Sequence, residues 1–207
     1  MTRALDRLVS EIRSCRQCRA APSGVPLPHQ PRPVLRVSAT ARLAVVGQAP
    51  GTRVHASGVP FSDPSGVRLR AWMDVSDAEF YDETRIAIIP MGFCFPGLDA
   101  AGGDLPPRAE CAPLWRPRLF GLLKQLELVL LVGMYAQRWH LGAECGATLG
   151  ETVRDFRQIL ARHRRPRFLP LPHPSWRNNA WLKRNPWFET ELLPVLRREV
   201  ADLVRPG

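Results

Sequence analysis

Leu43-Ala-Val-Val46 runs straight into Gly47-Gln-Ala-Pro-Gly51, and the architecture follows from that junction. Four apolar residues closed by a glycine read as a short strand buried on both faces, the kind found inside a parallel sheet. Downstream, Ser65 to Met73 has helical spacing and Arg85-Ile-Ala-Ile-Ile-Pro90 reads as a second strand. A Gly/Pro loop covers 95–107, a helix Arg108 to Gln125, and a third strand Leu126 to Val132. A helical stretch at about 151–163 leads to a fourth strand, Arg167 to Leu171, and a last helix from about Trp187 to Val204. Upstream, Leu5, Leu8, Val9 and Ile12 place an amphipathic helix over Leu5 to Cys18, followed by a Pro-rich surface loop at 21–40. Strands alternating with helices predict an α/β sandwich around a parallel sheet, formed by a single domain over residues 1–207.

Ligands in such sheets bind outside the carboxyl ends of the strands. Two loops fall there: Gly47–Gly51 after the first strand, and His173-Pro-Ser-Trp-Arg177 after the fourth. They are far apart in sequence and are expected to converge in space.

The chain has 207 residues, with 29 Lys+Arg against 19 Asp+Glu and a formal net charge of +10. Its 45% hydrophobic content fills a core and excludes a disordered tail. No apolar run approaches the roughly 20 residues of a membrane helix, and the first residues lack the apolar stretch of a signal peptide. A cytoplasmic chain with no membrane partner is expected. Of the basic residues, only Lys124 and Lys183 are Lys. Arginine grips phosphate through a planar fork, which points to nucleic acid; codon bias explains the Arg preference equally well, but not the excess charge. Residues 152–207 hold twelve Lys/Arg against five Asp/Glu, so the excess lies beside the His173 loop.

Five cysteines are present: Cys15, Cys18, Cys94, Cys111 and Cys145. Cys15-x-x-Cys18 has the spacing of two thiolates on one metal centre, while Cys94 and Cys111 flank the Gly/Pro loop. Four thiolates from three places suit either Zn²⁺ or a [4Fe–4S] cluster, and spacing does not choose. Cys145 has no partner nearby and reads as structural.

Together these features resemble the uracil-DNA glycosylase superfamily, in particular its iron–sulfur branch, family 4. The resemblance rests on Cys15-x-x-Cys18, Val45-Val-Gly-Gln-Ala-Pro-Gly51 and Gly58-Val-Pro-Phe61 with Ser65-Gly66. It continues through Cys94 and Cys111, Val132-Gly133, and His173-Pro-Ser175. It implies a three-layer α/β/α sandwich with a central four-stranded parallel sheet, a [4Fe–4S] cluster on Cys15, Cys18, Cys94 and Cys111, and a monomer. The implied activity is hydrolysis of the N-glycosidic bond of uracil, or a related deaminated base, in DNA. Gln48 would then orient the attacking water and His173 would donate to the departing base. Phe61 would stack on that base, with Gly47, Ala49, Pro50 and Gly51 giving close backbone approach. Ser175, Trp176 and Arg177 would hold the DNA backbone and fill the vacated stack.

The sequence departs from the family at two places. Gln48 stands where family 4 commonly has Glu, and Asp63 is the carboxylate nearest that motif. Pro90 stands where many relatives have an Asn that reads the base edge, which leaves the reading to backbone groups around Met91 and Gly92. Both departures keep a second function in play, a protein that binds damaged bases or abasic sites in DNA with little turnover. An enzyme acting on free nucleosides or nucleotides is a third.

Overall fold

The computed structural model describes residues 2–205. Four strands, β1 (Leu43–Val46), β2 (Ile86–Ile88), β3 (Leu128–Val132) and β4 (Arg167–Leu171), form one parallel sheet in the order β2-β1-β3-β4. Val45 pairs with Ile88 on one side and Leu130 on the other, and Leu130 pairs with Leu169.

Eleven α-helices surround the sheet among the described residues. They are α1 (Thr2–Arg13), α2 (Gln17–Ala20), α3 (Thr52–Ser57), α4 (Pro64–Met73), α5 (Asp77–Tyr81) and α6 (Cys111–Leu122). The rest are α7 (Met134–Leu141), α8 (Leu149–Arg154), α9 (Phe156–Arg162), α10 (Asn179–Arg184) and α11 (Leu193–Val204). Alternate residues of each strand point to opposite faces, so the uninterrupted apolar runs serve two cores. Leu43, Val45, Leu128 and Leu130 meet Leu69 and Met73 of α4 and Leu196 and Val200 of α11. Ala44, Val46, Val129 and Leu131 meet Leu8 and Ile12 of α1, Leu119 of α6 and Ala136 of α7. Each fully buried Val, Leu or Ile contributes about 1.5–3 kcal/mol. The three layers and the four-stranded parallel sheet are those expected from the sequence.

Local differences have physical reasons. The first helix ends at Arg13 instead of reaching Cys18, because the Ser14 hydroxyl bonds the Glu11 carbonyl and competes with the helix ladder. Cys15 therefore lies between helices and Cys18 on α2. The helical stretch expected near 151–163 is two helices broken at Asp155. The last begins with a π-type turn at Phe188–Leu192 before α11. Among the described residues no helix is long and apolar enough to cross a membrane.

Candidate active site and its adjoining groove

The loops that leave β1 and β4 meet at the carboxyl edge of the sheet. Gly47, Gln48, Ala49, Pro50, Gly51, Phe61 and His173 line one recess, of about 70 Å³. It opens into a broader groove of about 840 Å³, whose wall carries Ser175, Trp176 and Arg177. Gln48, Ala49, Gly51, Asp63, Asp104 and His173 belong to both and form the mouth between them. The deeper wall is apolar: Val34, Pro50, Pro60, Phe61, Ile88 and Pro90.

Phe61 is held there by a built turn. Its backbone is left-handed at φ 53, which costs a residue with a Cβ about 1–2 kcal/mol. The Tyr81 hydroxyl from the end of α5 donates toward the Pro60 carbonyl at 3.0 Å and the Phe61 carbonyl at 3.2 Å. Arg70 of α4 donates to the same Phe61 carbonyl at 3.2 Å and is anchored by Asp77 at 2.7 Å. Any side chain at Gly66 would collide with this turn, since a Cβ there would lie 1.7 Å from the Phe61 carbonyl oxygen. The ring packs edge-on against Phe80 and lies over Gly47, where an added Cβ would meet it at 3.0 Å. One face of the recess is thus an aromatic wall.

Gln48 is oriented by its own amide. Its Nε2 donates to the Leu105 carbonyl at 3.3 Å, which leaves Oε1 free to accept. His173 follows β4, with its carbonyl tied by Asn178 Nδ2 at 2.7 Å. Burial pushes its imidazole below the ordinary value, while the carboxylates of Asp63 and Asp104 pull it back up and Arg177 lowers it. A neutral ring with one N–H to donate follows at neutral pH.

The Ser175 segment is braced from α4: Arg68 Nη1 donates to the Ser175 carbonyl at 3.3 Å and to Asn179 Oδ1 at 2.8 Å. Trp176 projects into solvent at 71% exposure, with the Arg177 guanidinium 5.4 Å from its ring centre. Arg53 and Arg68 add cations to the groove. Neither was singled out from the sequence, although both are arginines just downstream of the Gly47–Gly51 motif.

Met91 and Gly92 are the correction. Their N–H groups donate to the Gly47 carbonyl at 2.8 Å and the Gln48 carbonyl at 3.0 Å, so they brace the first loop and have no donor to offer a base. Both are buried, neither lines the recess, and Gly92 lines the cysteine pocket instead. The Pro90 carbonyl faces the opposite way, accepting from the buried Arg116 at 3.1 Å. No side chain of the deep wall replaces the missing base-edge reader.

Cys15, Cys18, Cys94 and Cys111 line one pocket together with Ile12 and Trp115. Burial raises the thiol pKa of Cys18 to about 11 and those of Cys94 and Cys111 to about 12. Neighbouring cysteines of the set add to each rise. Among the described residues no three His, Cys, Asp or Glu side chains form a ready ligand set for one metal ion. Cys145 lies apart, its Sγ 3.5 Å from the Thr152 hydroxyl.

Comparison with known families agrees with this geometry. Residues 36–197 match the family model described as the Uracil DNA glycosylase superfamily. The match contains both loops, the whole mouth and the groove, with Cys94 and Cys111; Cys15 and Cys18 precede it. Such membership carries a DNA glycosylase role, with DNA as the substrate. The chain belongs to the uracil DNA glycosylase superfamily.

Proposed function

We propose that the recess accepts one nucleotide flipped out of DNA and that the protein hydrolyses its N-glycosidic bond, releasing uracil or a related deaminated base. The observation that carries this reading is the convergence of Phe61, Gln48 and His173 on one recess that opens into the arginine-bearing groove. Flipping costs a few kcal/mol, and stacking on Phe61 returns about 1–3 kcal/mol of it. The C1′–N bond breaks with its electron pair leaving on the base, through an oxocarbenium-like sugar. His173, neutral and half-buried, donates its N–H to the oxygen on which that charge collects; one such preorganised donor contributes roughly 2.7–4 kcal/mol. Gln48 Oε1 accepts from the water that attacks C1′. Ser175 and Arg177 hold flanking phosphates, and Trp176 enters the vacated stack.

Because the deep wall is apolar and the Met91 and Gly92 donors are engaged, the base is read by shape and stacking more than by its edge. A hydrophobic site rejects near-isosteres weakly, about 10–200-fold per methylene-sized difference. Uracil, hypoxanthine and xanthine in otherwise identical oligonucleotides, each under single turnover, test this. Release of uracil is expected, faster than that of the two-ring hypoxanthine and xanthine, whose fused ring goes well beyond a methylene-sized difference. No release of any of the three, with tight binding to abasic DNA, would favour a lesion-binding protein instead.

The same proposal assigns a [4Fe–4S] cluster to Cys15, Cys18, Cys94 and Cys111. The four thiols line one pocket, which supports the assignment, and metal content separates the cluster from Zn²⁺. A zinc ion would draw four sulfurs to about 3.8 Å apart at Zn–S of about 2.3 Å. When bound, the cluster would join the chain around α2 covalently to the loop after β2 and to the start of α6. Four iron atoms per chain after anaerobic purification are expected; one zinc with no iron would overturn the assignment.

A further inference from the structure

Three carboxylates stand at or beside the mouth, and they are not equivalent. Asp99 is committed to its own loop, where Oδ1 accepts from the N–H of Ala101 at 2.9 Å and of Gly103 at 2.8 Å. Asp63 caps α4, with Oδ1 accepting from the Gly66 N–H at 3.1 Å. Asp104 has no hydrogen-bond or ion-pair partner for its carboxylate among the described residues, in a chain of net charge +10. It lines recess and groove alike, and it acts on His173 through its charge.

Its placement is built. Leu98 and Asp104 form an antiparallel bridge, Leu105 N–H donates to Gly97 at 3.0 Å, and Asp99 N–H donates to Gly103 at 2.8 Å. The closed turn carries Asp104 over Gly51, where an added Cβ would meet Oδ2 at 3.3 Å and Oδ1 at 3.7 Å. The next residue, Leu105, supplies the carbonyl that holds the Gln48 amide. One loop therefore fixes the water-orienting amide and presents a free carboxylate beside it.

We infer that Asp104 is the catalytic carboxylate of this site, supplying from the 97–105 loop the negative charge that the amide of Gln48 cannot. The inference rests on the glycosylase reading above. As the C1′–N bond breaks, Asp104 faces the cationic sugar and stabilises it. Water, held by Gln48 Oε1, then forms the C1′–O bond and gives one proton to Asp104. That proton passes to solvent while the base anion takes one up, so the balance is one water consumed and one base and one abasic site formed. Asp104 carries out what a carboxylate at position 48 would do, reached from a different strand connection.

The test uses Asp104→Asn, isosteric and on an exposed loop, and Asp104→Asn combined with Gln48→Glu. Single-turnover excision should fall about 100-fold in Asp104→Asn, within the range for loss of a general base, and recover at least tenfold in the double variant. Binding gives the second reading: duplexes carrying a cationic pyrrolidine or a neutral tetrahydrofuran in place of the target sugar, at one salt concentration. The wild type should prefer the cation by at least tenfold, and Asp104→Asn should bind the two equally. Excision within threefold of wild type, or a cation preference that survives in Asp104→Asn, would overturn the assignment. A wild type that excises nothing would sink the glycosylase reading, and the pyrrolidine comparison would still decide on Asp104.

Discussion

Removing one hydroxyl, in Tyr81→Phe, tests whether the aromatic wall is actively held. That hydroxyl reaches the Pro60 carbonyl at 3.0 Å and the Phe61 carbonyl at 3.2 Å. Arg70 still serves the Phe61 carbonyl at 3.2 Å, so the loss centres on Pro60, a buried residue whose carbonyl is left unpaired. Such a loss costs about 1–3 kcal/mol, comparable with the about 1–2 kcal/mol held in the left-handed backbone of Phe61. The turn is then free to relax, and the ring leaves its place over Gly47. For a chain of this length each kcal/mol moves Tm by about 2–4 °C, so a fall of roughly 2–12 °C is expected in a thermal melt. At a temperature where both proteins are folded, single-turnover excision should drop about tenfold, equivalent to about 1.4 kcal/mol. A Tm within 1 °C of wild type (well below the ~2 °C expected from one kcal/mol) together with an unchanged rate would refute the idea that Tyr81 holds the wall.

Three further outcomes follow from other parts of the molecule. His140 accepts from Arg116 Nη2 at 2.7 Å, and burial with the nearby Arg116 charge pushes its pKa down to about 3. The unfolded chain takes up this proton from about pH 6.5 downward while the folded chain does not, so stability is complete above that pH and lost toward pH 3. The loss is on the order of 3 kcal/mol by pH 4, and urea titrations at pH 7 and pH 4 should show it in wild type but not in His140→Gln; equal pH slopes would contradict it. Arg177→Ala should weaken binding to abasic DNA and lower the salt slope by about one, whereas an unchanged slope would remove Arg177 from the phosphate contacts. Cys94→Ser should purify with iron reduced to background and with a lowered Tm; full iron content would take Cys94 out of the ligand set.

What the sequence shows plainly is what burial dictates. Strands sealed on both faces must be continuously apolar, so Leu43–Val46 is found where the pattern places it and Leu128–Val132 lies within the expected run. The His173 and Gly47 loops meet because parallel strands deliver their carboxyl ends to one edge. Reading fails where backbone hydrogen bonds decide. Met91 and Gly92 look available to a base until their N–H groups are found on Gly47 and Gln48. Cys15 and Cys18 look like one helical turn until Ser14 interrupts it. Helix α7 escaped notice because its apolar residues are scattered through Met134–Leu141 and its burial comes from β3 beside it. Asp104 is invisible in sequence for the same kind of reason: a closed loop, and no local motif, carries it across to Gly51.

The account turns on His173 and the recess it shares with Gln48 and Phe61. A duplex with one uracil, incubated under single turnover and analysed for free base and intact abasic strand, addresses this directly. The wild type should release uracil stoichiometrically without cutting the strand, and His173→Ala should be slower by about 100–1000-fold while remaining folded. Equal rates in the two proteins, or no free base from the wild type, would contradict it.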